Sequence, residues 1–224
     1  DTNAVVKRAS GMTDYLFNVV GTATLSDITI DGDNQAADES LILAANGAEL
    51  IITEGTVLQN NHTNFYQGRG HDQSGGAVTV NEGSVDMTGG LIQNNTVANG
   101  DSIYGSNGGG ILAQDSTVSM SGGTIEGNSA SIGGGVCVDF STMTMTGGTI
   151  RNNSAISSTQ DNKEGEDYAA GGGIGAYTSS QRSTHKTTVV NLSGGTIEGN
   201  SSEEMGGGIS LGHEKTFDQI VLNM

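Results

Sequence analysis

The chain has 224 residues, with 37 Gly, no Pro, no Trp and one Cys, and its 25 acidic side chains against eight basic ones give a net charge of −17. That charge argues against nucleic acid and anionic membranes, which are held by clustered Lys and Arg. The single Cys excludes a disulfide framework, and membrane insertion is not expected, because no apolar run approaches the roughly 18 residues of a spanning helix.

The chain opens with a lead-in, residues 1–14, and carries no signal peptide, so it is read as mature or excised. Residues 15–61 predict irregular first coils, beginning with "DYLFNVVGTATLSDITIDGDN". From residue 75 to 224 three short phrases return: GGG followed by Ile or Val, then an alternating piece such as "TVSMSGG" or "TMTMTGG", then Thr-Ile-x-x-Asn. The octapeptide SGGTIEGN stands unchanged at 121–128 and 193–200. Each phrase alternates apolar and polar residues, the period of a half-buried strand, and none shows a helical period. The closing "FDQIVLNM" reads like the middle of a repeat, which suggests a piece of something longer.

Asn61, Asn95, Asn128, Asn153 and Asn200 end successive repeats, with Asp33 at the same place in an earlier copy. Their spacings are 28, 34, 33, 25 and 47 residues, so the core phrase is constant while the insertions vary. This is the pattern of a solenoid with loops on its coils. The predicted fold is all-β: a single right-handed parallel β-helix over 1–224, about seven coils of three short strands, on the order of 30 Å long at the strand spacing.

Alternation sorts the core. Strand one points Leu16, Leu43, Val78, Ile111, Val136, Ile174 and Ile209 inward; strand two Leu25, Ile52, Met87, Met120, Met145 and Leu192; strand three Ile30, Ile92, Ile125, Ile150 and Ile197. The five Asn are expected to form a structural ladder, since each amide can bond its neighbours above and below, and Asn tolerates the left-handed conformation of a tight turn.

The phrases GGG[IV], [ST]GGTI and TIxxN resemble the repeats of large bacterial surface proteins. They are similar to the GG[AILV] part of the polymorphic outer membrane protein repeats of chlamydial adhesins and autotransporters, with TIxxN where the chlamydial pattern has FxxN. They are closer to the β-helical repeats of gut clostridial surface proteins. The resemblance spans roughly residues 15–222 and implies a secreted or cell-surface β-helix that belongs to an adhesin.

Parallel β-helices also carry polysaccharide lyases and glycosidases, including the pectate lyase type. Such activity needs a strong base, or carboxylates converging within about 5–10 Å. Strand three places Asp31, Gln93, Glu126, Arg151 and Glu198 outward, a column that reads more simply as a surface ion ladder. His62, His71, His185 and His213 show no zinc-binding spacing. No cofactor is expected; Ca²⁺ on Asp161, Glu164, Glu166 and Asp167 of the acidic stretch 158–168 is the one alternative to a solvated loop. Thr and Ser on the outer side of strand two form an array of the kind that binds ice, but Asp86, Val189 and Asn191 interrupt it. Cys137 is expected to face outward with no His beside it.

Segments 62–74, 96–107, 129–132 and 154–170 all leave from the same turn and are expected to line one edge of the solenoid. They hold Phe65, Tyr66, Tyr104 and Tyr168; Tyr177 opens a further insertion from a different turn. Aromatics on the loops of a rigid scaffold are material for recognition, by stacking on sugar rings or packing on a protein. The alternative is that they cover the core. These five residues are the candidate ligand-binding set, with a host glycan or extracellular protein as partner. A purely structural spacer is the remaining reading.

Overall fold

The computed structural model describes residues 3–64, 74–98, 107–157, 169–178, 187–213 and 219–224, with no side-chain description of residue 213. Among the described residues there is no helix, and every strand pairing is parallel. Strands that neighbour one another in space are one repeat apart in sequence, so the sheets are built by stacking.

Each repeat contributes strands at four positions. Position one is a seven-stranded sheet of β2 (Phe17–Val19), β6 (Ile42–Ala45), β10 (Val78–Asn81), β14 (Ile111–Gln114), β18 (Val136–Asp139), β21 (Ile174–Thr178) and β24 (Ile209–His213). Position two stacks β3 (Thr22–Leu25), β7 (Glu49–Ile52), β11 (Ser84–Met87), β15 (Thr117–Met120), the first halves of β19 (Thr142–Arg151) and β22 (Thr187–Glu198), and β25 (Gln219–Asn223). Position three stacks β1 (Ala4–Lys7), β4 (Ile28–Asp31), β8 (Val57–Gln59), β12 (Leu91–Gln93), β16 (Thr124–Glu126) and the second halves of β19 and β22. Because β19 and β22 run through both positions, two and three form one 12-stranded sheet.

The fourth position corrects the three-strand expectation. β5 (Ala36–Ala37), β9 (His62–Asn64), β13 (Thr96–Ala98), β17 (Ser129–Ala130), β20 (Ser154–Ala155) and β23 (Ser201–Ser202) form a six-stranded sheet just after the Asn positions. Strands of two or three small residues are too short to show a period, so they read as the start of insertions. Curled parallel sheets stacked in this way are consistent with a β-helix or solenoid.

The core is a set of aliphatic columns. Met87, Met120 and Met145 follow Leu25 and Ile52 in register, and Leu58 joins Ile30, Ile92, Ile125 and Ile150. Position one differs in its first two repeats. Phe17 and Ile42, not Leu16 and Leu43, pair into the column of Val78 and Ile111. Leu43 is half-buried on the outer side, whereas Ile42 is fully buried. "SLILAA" offers several apolar residues in a row, and a slip of one residue exchanges the faces; the later copies avoid the ambiguity because their Gly runs anchor the strand.

Those Gly runs have a steric cause. The first Gly of each GGG lies at positive φ, +65° at Gly108 and +64° at Gly133. The second has no room for a side chain between repeats: a Cβ on Gly109 would meet the carbonyl oxygen of Gly134 in the next repeat.

Candidate functional site

The five ladder Asn are joined by a repeated set of hydrogen bonds. The backbone N–H of Asn95 donates to Asn128 Oδ1 at 3.0 Å, that of Asn128 to Asn153 Oδ1 at 3.0 Å, and that of Asn153 to Asn200 Oδ1 at 2.9 Å. Each Nδ2 donates to the same oxygen at 3.0 Å and to a carbonyl one repeat back: Leu58 at 3.2 Å, Ile92 at 3.0 Å, Ile125 at 3.0 Å. Asn128 and Asn153 are buried, so these bonds are shielded from water.

Two details of the ladder differ from expectation. The left-handed residue is the one before the ladder Asn, at Asn60, Asn94, Gly127, Asn152 and Gly199. That explains why TIEGN and TIRNN interchange, since Gly and Asn both accept positive φ. The ladder also stops at Asn61. Two extra residues lie between β4 and β5, and the N–H of Asp33 donates to Asp31 Oδ1 at 2.7 Å. Asn61 Oδ1 is left buried without a partner among the described residues.

The ladder sets the edge from which the insertions leave. β9, β13, β17, β20 and β23 are in register, with His62 paired to Thr96, Thr96 to Ser129, Ser129 to Ser154 and Ser154 to Ser201. The chain therefore departs for the next segment from one straight stack. Its return points are stacked too: Gly108 N–H donates to Ile132 O at 2.8 Å, Gly133 N–H to Ala170 O at 2.9 Å, and Gly171 N–H to Met205 O at 3.0 Å. Between these fixed points lie 65–73, 99–106 and 158–168. Phe65, Tyr66, Tyr104 and Tyr168 fall in those segments and lie outside the described residues, as do Asp161, Glu164, Glu166 and Asp167. Along this edge Glu203 accepts from the N–H and hydroxyl of Ser157 at 2.9 and 2.8 Å, and those bonds hold its carboxyl below the usual range.

Tyr177 lies elsewhere. It sits near the end of β21, paired with Asp139 and Gly212, and packs half-buried against Leu112, Ile132 and Cys137. Cys137 was expected to face outward on strand one, and it lies outside the main core cluster. Its side chain points away from the main core but is fully buried under a second apolar layer, and burial pushes its thiol well above the ordinary pKa. The signal for this layer was present, because Leu112 stands on the same outer face one repeat earlier.

The outer column of position three runs Asp31, Gln59, Gln93, Glu126, Arg151, Glu198. Arg151 Nε donates to Glu126 Oε2 at 2.6 Å, Gln93 to Gln59 at 2.8 Å and Gln59 to Asp31 at 2.9 Å. Burial raises the Asp31 pKa, but hydrogen bonds from Gln59, the Asp33 N–H and Asn60, together with the Lys7 charge, outweigh it and leave the carboxyl lowered. On position two Thr142 and Thr144 follow Thr117 and Ser119, and Asn191 Nδ2 donates to Thr144 Oγ1 at 3.3 Å. No group of three His, Cys, Asp or Glu suited to a metal occurs among the described residues.

One polar knot had no sequence signal. Arg8 is buried, and its guanidinium donates to the carbonyls of Met12 (3.2 Å), Asp14, Glu39 (3.4 Å) and Ser40 (3.3 Å). Burial lowers its pKa, against Asp14 and Glu39. Tyr15 beside it is pushed far above the usual phenol range by burial, then by its bond to Glu39. A lone Arg in a lead-in gives no hint that it ties down the first repeat.

Comparison with protein-family models, with curated proteins and with solved structures finds no match to this chain.

Proposed function

We propose that the chain is a right-handed parallel β-helix of about seven coils that works as a non-catalytic module of a bacterial cell-surface or secreted adhesin. It binds a host glycan or extracellular protein through the insertions on its ladder edge. The observation that carries this reading is the straight stack of departure and return points at β9, β13, β17, β20 and β23. A rigid scaffold that presents several variable segments side by side is how recognition surfaces are built on solenoids. The resemblance of GGG[IV] and TIxxN to surface-protein repeats supports the same reading and the extracellular location. Phe65, Tyr66 and Tyr104 supply the aromatic contacts.

The test is binding of the purified chain to a glycan array and to matrix proteins, beside a Phe65→Ala/Tyr66→Ala/Tyr104→Ala variant. Saturable binding that is lost in the variant is expected. Equal binding by both forms, or none by either, overturns the role given to the ladder edge.

A further inference from the structure

We propose that the break in the ladder is a buried water site, with at least one water molecule held between Arg8, Asn61 and the carbonyl of Ile30. The first observation is a pair of orphaned atoms. Arg8 is 2% exposed and Asn61 1% exposed, yet among the described residues Arg8 Nε and Asn61 Oδ1 have no hydrogen-bond partner. A buried polar atom without a partner is costly, and ordered water is the usual remedy.

The second observation is that the two side chains converge. Arg8 Nη2 donates to Glu39 O at 3.4 Å, and Asn61 Nδ2 donates to the same oxygen at 3.0 Å. The guanidinium and the carboxamide therefore meet at one carbonyl. The atoms they leave over are of opposite kind, because Nε–H only donates and Oδ1 only accepts.

The third observation is the pattern of the regular rungs. There each Oδ1 accepts twice from the rung before: Asn128 Oδ1 from the N–H and Nδ2 of Asn95, and Asn153 Oδ1 from those of Asn128. Each Nδ2 also donates to a carbonyl one repeat back, at Leu58, Ile92 and Ile125. Ile30 holds that place for Asn61, because it pairs with Leu58. Asn61 Nδ2 turns instead to Glu39 O, Thr63 Oγ1 and Gly76 O. The two extra residues between β4 and β5 carry the preceding rung away, and the Asp33 N–H bonds Asp31. Asn61 Oδ1 thus lacks two donors that later rungs have, and Ile30 O lacks one.

The ligand that fits must accept from Arg8 Nε–H and donate to Asn61 Oδ1 and Ile30 O. One water does this with three hydrogen bonds, the usual number for a buried water. A metal cation accepts nothing and would face the Arg8 charge, and a halide has no proton to donate.

The experiment has two arms on the full chain. In wild type, Arg8 Nε–H should show a cross-peak to water with the sign of a long-lived contact, in a rotating-frame experiment that separates contact from proton exchange. Oxygen-17 relaxation dispersion, which is blind to labile protons, then compares wild type with Asn61→Leu and Asn61→Asp. Asn61→Leu should lose the contribution of about one water. Asn61→Asp, which keeps an acceptor oxygen at the site, should retain it, and thermal melts check that each variant folds. A folded wild type whose Arg8 Nε–H shows no such cross-peak overturns the proposal, whatever the variants do. So does a folded Asn61→Leu with unchanged dispersion.

Discussion

Residues 121–128 and 193–200 have one sequence, SGGTIEGN, and two environments. In the first, Ile125 and Asn128 are each 1% exposed, held between the repeats on either side. In the second, Ile197 and Asn200 are half-buried, and nothing among the described residues stacks on their outer side. Local propensity is the same in both, so the difference measures what a neighbouring repeat contributes. In a solenoid that contribution dominates, because stability is close to a sum of repeat terms and nearest-neighbour contacts.

The largest effect should come from the ladder. Asn128→Ala removes the acceptor of the Asn95 N–H and Nδ2 and the donor to Ile92 O. Orphaned buried groups cost about 1–3 kcal/mol each, so the total should be about 4 kcal/mol in urea denaturation. Asn200→Ala, where water can replace the lost partners, should cost less than about 2 kcal/mol. Equal losses would mean that the ladder draws nothing from its neighbours.

Next come the columns. Ile125→Ala should cost about 3 kcal/mol, as for a fully buried aliphatic residue, and Ile197→Ala about 1 kcal/mol.

The pH response separates the first repeats from the rest. Asp31 has a lowered pKa in the folded chain, so its stabilisation is present above the unfolded value near 4 and is lost as pH falls through the folded one. Tyr15 has a raised pKa, so its contribution is present below the unfolded value near 10 and is lost as pH rises beyond it. Hydrogen exchange should show residues 4–45 opening first at both extremes, ahead of 107–157. The smallest effect should be Arg151→Ala, about 0–1 kcal/mol, because its ion pair with Glu126 is partly exposed.

Much of the stacking was legible from residue types. Met87, Met120 and Met145 alternate with polar residues beside a Gly-Gly corner, and their column follows from that period alone. The Asn positions were equally plain, because a side chain that both donates and accepts recurs at a constant place in the phrase. What escaped notice has physical reasons. The strands at Ser129–Ala130 and Ser154–Ala155 are too short to display a period. Leu16 and Leu43 sit in runs where either face could turn inward. Arg8 finds its carbonyl partners only after residues 39 and 40 have come round beside it. For the candidate site, the common departure edge could be read from the insertion points, while Tyr177 gave no sign that it packs against Cys137.

The most direct test of the division between framework and insertions is surface binding by three forms of the chain against the best ligand from the array. Wild type and a Thr117→Lys/Thr144→Lys variant, altered only on the outer face of position two, should bind alike. The Phe65→Ala/Tyr66→Ala/Tyr104→Ala variant should lose binding while keeping the wild-type melting profile. Binding that survives the loop changes and disappears with the two Lys would place recognition on the sheet face and contradict the account.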